Sequence, residues 1–163
     1  NNGVNAYRGL TDLTVTDDEL NYMSKLAPIL GRSPRALKRF VNVYRLIKAG
    51  LEEHELRDFT RPRKPLADYQ AVLLLLAVDT AAPQAARTFF DAVQGVPNPG
   101  DSLNLDRIIG RVDKAGPRTV AEWQRFRVWL VAHDDIVPKE ADLSVLGDWT
   151  TRVRRYSFAV GRS

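Results

Sequence analysis

The stretch Gly31-Arg32-Ser33-Pro34-Arg35-Ala36-Leu37-Lys38-Arg39-Phe40-Val41-Asn42-Val43-Tyr44-Arg45-Leu46-Ile47-Lys48 decides how the chain is read. Ser33 can accept hydrogen bonds from orphan amides, and Pro34 sits where a missing N–H costs nothing. Gly50 supplies a stop, so the pattern predicts a helix from Pro34 to the residues just before Gly50. At about 100° per residue, Leu37, Phe40, Val41, Val43, Tyr44 and Ile47 share one broad side, which is the expected core face. Arg35, Lys38, Arg39, Asn42 and Arg45 fall together on the other side with no carboxylate among them. Like charges at i,i+3 and i,i+4 repel, so a helix chosen for stability alone would carry acids there. Leu46 falls within this basic face.

Two readings of that face follow. In one it is a solvated surface whose Arg and Lys stems cover apolar groups. In the other it is a surface for an anion or an acidic partner, favoured by Leu46 among the cations and by Asn42 where a glutamate would have stabilised the helix.

The string Leu30-Gly31-Arg32-Ser33-Pro34-Arg35, followed by Lys38-Arg39-Phe40-Val41-Asn42, resembles a signature found just after the nucleotide-binding core of KAP-family P-loop NTPases. In that signature Ser/Asn-Pro-Arg precedes Lys-Arg-Phe-(Val/Ile/Leu)-Asn. The resemblance covers roughly residues 20–50. It implies that the chain is the helical region following a P-loop core, with the P-loop ATPase core as partner and with ATP and magnesium as cofactors of the parent protein. It further implies that Arg35, in the position of a lid-helix arginine, reaches toward nucleotide phosphates, with Lys38, Arg39, Asn42 and Arg45 sensing nucleotide or docking on the core. The alternative for Arg35 is a local ion pair with Asp17, Asp18 or another nearby carboxylate.

The chain itself lacks Gly-x-x-x-x-Gly-Lys-Ser/Thr and any strand ending in a magnesium-holding acid. No loop here can cradle phosphates with backbone amides and a lysine. No catalytic residue and no cofactor is therefore assigned to this chain.

Composition sets the remaining bounds. At 163 residues, 44% apolar and 27% charged, the chain is expected to form one globular domain. The absence of cysteine excludes disulfides and sulfur-ligated metals. The longest apolar run, Ala71 to Val78, is too short to cross a bilayer, and no signal-peptide pattern opens the chain, so the expected location is cytoplasmic. The net charge of +4 is regional: residues 32–64 hold ten Lys and Arg against four acids, while residues 65–163 are balanced. A second basic patch lies in the connector Arg61-Pro62-Arg63-Lys64-Pro65. The 32–64 region could thus serve nucleic acid, although no aromatic residue interleaves the exposed cations as a stacking platform would need. Self-association into a homo-oligomer is the third alternative.

Along the chain, residues 1–15 read as a loop or tether from a preceding domain, and the abrupt start at Asn1 as part of something longer. Residues 16–163 read as one α-helical domain, with a helical hairpin over 16–50 and a bundle over 66–163. Thr16 and Glu19 form a capping-box pattern for a helix to about Leu30, with Leu20, Met23, Ala27 and Leu30 expected on its inner face. Leu51–Phe59 reads as a short helix or turn. Leu66–Ala82 reads as the central buried helix, Gln84–Val93 as another, and Val96-Pro97-Asn98-Pro99-Gly100 as a loop. A weaker helix, with Gly110 lowering its propensity, is expected up to about Lys114, stopped at Gly116-Pro117. A clearer one capped by Thr119 runs from Val120 to about Ala132, with Val120, Trp123, Phe126, Leu130 and Val131 inside. The last helix is expected from Glu140 onward through Leu143, Leu146, Trp149, Val153, Tyr156 and Val160. With no period-2 alternation and no internal repeat, the expected fold is an all-α bundle of about six to eight helices. His133-Asp134-Asp135 and His54 are set aside as turn and solvent-face residues, and Asp79 is noted as an isolated acid at the end of an apolar helix.

Overall fold

The computed structural model describes residues 14–95, 100–116 and 120–156. Among these residues there are eight helices and no strand: α1 (Asp17–Leu30), α2 (Pro34–Ala49), α3 (Glu53–Phe59), α4 (Asp68–Ala81), α5 (Pro83–Gln94), α6 (Leu105–Ala115), α7 (Val120–Ala132) and α8 (Val145–Arg154). The fold is all-α, as the sequence predicts. Most of the expected tether, the Val96–Pro99 part of the loop, Pro117, the Thr119 cap, the Val120 side chain and Val160 lie outside the described residues.

The packing follows from α4. Every residue from 71 to 79 is buried; over 71–78 Leu, Val and Ala occupy all sides of this helix, so no face of it can be given to water, and Asp79 is buried at the end of the run. It must therefore be surrounded, and α1, α2, α5 and α8 lie against it. Helix α5 forms a second centre that carries α6 and also touches α8. At that junction Gly147 admits no side chain, since a Cβ there would stand 2.7 Å from the Val93 carbonyl oxygen.

The start of α2 matches the expected cap, with the Ser33 hydroxyl accepting from the Ala36 amide at 3.3 Å and Pro34 in the first turn. Phe40, Tyr44 and Ile47 are buried, while Leu37, Val41 and Val43 pack half-buried against the same core. Gly31 joins α1 to α2 with φ +87°, a backbone angle at which a side chain would be strained. Both helices make their most extensive contacts with α4.

Three local expectations are corrected. The inner face of α1 is Glu19, Tyr22, Met23, Leu26 and Leu30, whereas Leu20 is 49% exposed and Ala27 is exposed. The stripe is rotated by about one position because Tyr22 reaches the Ile136 carbonyl and Glu19 is drawn inward by Tyr44 and Lys48. In α7, Val131 is exposed, since the apolar side is centred on Trp123, Phe126 and Leu130 and Val131 sits at its edge. The last helix begins at Val145 rather than Glu140. There Asp142 turns its carboxylate to the Ser144 amide at 3.0 Å and to the Leu103 amide at 3.3 Å, an Asx-type turn that competes with helix.

Candidate functional site

The basic side of α2 is built by periodicity alone. The helix 34–49 contains no acid, and with Phe40, Tyr44 and Ile47 held by the core, Arg35, Lys38, Asn42 and Arg45 are turned outward and are exposed. Leu46 stands among them at 54% exposure. No ion pair reaches Arg35, Lys38 or Arg45 among the described residues. The alternative pairing of Arg35 with Asp17 or Asp18 is not made. Those acids open the 14-residue α1, about 20 Å of helix away from the turn that leads to Arg35.

Arg39 behaves differently from its four neighbours. It is only partly exposed, and its guanidinium donates to the Tyr156 carbonyl at 2.8 Å. Burial lowers its pKa, opposed by the nearby charge of Asp79. Asp79 is itself buried at the end of α4. The isolated acid noted in the sequence is thus within electrostatic reach of Arg39, which ties α2 to the residues just after α8.

Lys48, one turn beyond Tyr44, is also withdrawn from the basic count. Its ammonium is buried, donating to Glu19 Oε2 at 2.9 Å and to the Thr14 carbonyl at 2.7 Å. The Tyr44 hydroxyl donates to the other Glu19 oxygen, and the Thr16 amide donates to Oε2 at 2.5 Å. Burial would raise the Glu19 carboxyl, but the hydrogen bonds from Tyr44, Thr16 and Lys48, together with the Lys48 charge, outweigh it and hold the group below its usual range. Burial and the same hydrogen bond push the Tyr44 phenol up. Glu19 was legible as a cap, and it is one. Its second role as partner of a buried lysine was carried only by the spacing of Lys48, which continues the 37, 40/41, 44 stripe at the margin of the core face.

The second basic patch, Arg61, Arg63 and Lys64, is exposed, and among the described residues an acid pairs with Arg61 alone. Arg61 approaches Asp58 at 3.5 Å, and the exposed Arg63 lines a cleft of about 380 Å3 whose other walls include Glu55, Asp58, Asp68, Asp148 and Trp149. In that cleft Arg152 pairs with Glu55 at 2.6 Å and lies over the Trp149 ring, 5.0 Å from its centre. The Trp149 indole donates to Asp68 at 3.1 Å. The Asp148 carboxyl is raised, by burial first and by Asp68 second, while Arg152 holds Glu55 low. Sequence reasoning missed this cleft because its walls come from three separate segments. No cluster of three or more metal-ligating side chains is present among the described residues.

His54 lies exposed beside Glu52. The Asp134 carboxylate accepts from the Lys139 amide at 2.9 Å, and His133 hydrogen-bonds the Trp129 carbonyl at 2.7 Å and stacks on its ring. All three belong to local turns and helix ends.

What the arrangement offers is therefore a line of outward cations on one rigid helix, with one apolar residue beside them. No described helix is long and apolar enough to cross a membrane. Comparison of the chain with protein-family models, curated proteins and solved structures finds no match.

Proposed function

We propose that this chain is an accessory, regulatory helical domain of a KAP-like P-loop NTPase, working in the cytoplasm and contacting the ATPase core through the outward face of α2. The observation that carries the reading is the unpaired stripe of Arg35, Lys38 and Arg45 around Asn42 and Leu46, located in the segment that carries the Ser-Pro-Arg and Arg-Phe-Val-Asn resemblance. A helix that leaves three cations without carboxylates accepts internal repulsion, and an acidic or phosphate-bearing surface removes that cost. Arg39 supports the helix rather than the partner, since its guanidinium is engaged with the Tyr156 carbonyl. In this reading the domain is no enzyme by itself, and ATP and magnesium belong to the ATPase core.

The test has two arms. Titration calorimetry of ATP–magnesium into this chain is expected to show no binding of micromolar strength; such binding would defeat the accessory role. Mixing the chain with the P-loop core of its parent protein is expected to give a complex weakened at least tenfold by the joint Arg35→Glu and Lys38→Glu changes, with the melting temperature of the chain unchanged. A complex indifferent to both changes would place the contact elsewhere.

A further inference from the structure

Resting on the proposed docking through α2, we propose that this face recognises an acidic amphipathic helix of the partner rather than the phosphates of a nucleotide. The geometry of the stripe carries the choice. Arg35, Lys38, Asn42, Arg45 and Ala49 follow one another at intervals of three, four, three and four residues, the repeat at which one helix presents a continuous seam to another. From Arg35 to Arg45 the seam runs about 15 Å along the axis. Its cations are strung in line and do not converge, whereas a phosphate group is held by donors aimed at one point.

The helix start is not an open cradle either, because the Ser33 hydroxyl already takes the Ala36 amide. A facing helix with glutamates or aspartates at the same three-four repeat sets one carboxylate against each cation. Asn42, neutral in the middle of the row, takes the place that a buried polar residue holds in helix pairs, where it fixes register. Leu46, 54% exposed at the edge of the row, supplies the apolar contact that a helical partner has and a phosphate chain lacks.

The experiment uses the chain as it stands and a synthetic helical peptide of about 20 residues, with glutamates at i, i+3 and i+10, an asparagine at i+7 to face Asn42, and one leucine set to meet Leu46. Binding is read by fluorescence anisotropy at low salt. A control peptide of identical composition has its three glutamates moved around the helix, and inorganic triphosphate and duplex DNA serve as competitors. The regular peptide is expected to bind at least about fivefold tighter than the control. The loss is expected to be about tenfold or more with Arg35→Glu plus Arg45→Glu, and about threefold with Leu46→Ala. Equal affinity for the two peptides overturns the proposal, as does displacement by triphosphate or DNA at concentrations below that of the peptide. The spacing comparison needs no variant and no ATPase core, so the two readings fail separately. If the peptides are discriminated while the core does not bind, the family reading falls alone. If the core binds while the peptides are equal, this inference falls alone.

Discussion

Lys48 carries a buried positive charge whose ammonium reaches one carboxylate and one carbonyl. Lys48→Met would leave the buried Glu19 carboxylate with only the Tyr44 hydroxyl and the Thr16 amide as donors, and breaking a buried pair on one side costs about 3–5 kcal/mol. Urea unfolding at neutral pH should show a loss of that order. The acid dependence has a defined sign. Because the folded-state pKa of Glu19 is depressed, its stabilisation is complete above the ordinary carboxylate range, about pH 4. It declines as pH falls through that range and is gone once Glu19 itself is protonated. Glu19→Gln should flatten this part of the stability–pH curve, and an unchanged acid slope would count against the network. Two arginines of the same helix should separate as well. Arg35→Ala should change stability by less than about 0.5 kcal/mol, as surface changes do. Arg39→Ala, which removes the donor to the Tyr156 carbonyl and a positive charge within reach of Asp79, should cost roughly 0.5–1.5 kcal/mol. Equal thermal shifts for the two would contradict the difference in their surroundings.

Between elements, two helical glycines make opposite predictions. Gly147→Ala drives a methyl to 2.7 Å from the Val93 carbonyl, a backbone atom that can yield only if α8 moves off α5, so it should destabilise by about 1–3 kcal/mol. Gly110, with nothing within 4 Å of an added Cβ, sits in an exposed stretch of α6, and Gly110→Ala should stabilise by roughly 0.5–1 kcal/mol. Calorimetric melting of both variants checks the pair. The sequence made Gly110 legible as a weak point of its helix but gave no sign of Gly147, because close approach between helices distant in sequence leaves no local pattern. The same distinction runs through the fold. Elements with strong local signals, such as the Thr16–Glu19 box, the Ser33-Pro34 start and the long apolar run of α4, were readable within a residue or two. The rotation of α1 and the late start of α8 were not, since they are set by partners such as Ile136 and Leu103. Of the candidate site, Arg35, Lys38, Asn42 and Arg45 were legible because helical period alone fixes an outward face. The inward turn of Arg39 and Lys48 depends on residues 117 and 29 positions away.

At the scale of the whole molecule, burial redistributes the charge that the composition suggests. Residues 32–64 carry an excess of six positive charges in sequence. Lys48 is buried in an ion pair, Arg39 is tied to a carbonyl and Arg61 faces Asp58. Of the seven other cations, all exposed, Arg32, Arg57, Arg63 and Lys64 are scattered over turns and a short helix, and Arg35, Lys38 and Arg45 share one helix face. With about three phosphate contacts from that helix face, duplex DNA binding through it should fall with a log–log salt slope near −3 and be negligible at 0.15 M salt. A filter-binding series from low to physiological salt that gives a tight, salt-resistant complex would restore the nucleic-acid alternative. The buried pair has a further consequence for descent. Loss of either Glu19 or Lys48 alone strands a charge in the core, while loss of both together does not, so the two positions are separated from any replacement by a fitness valley. Related chains should inherit the pair as a block, and a randomised library selected for folding should return Glu19 and Lys48 either intact or jointly replaced by apolar residues.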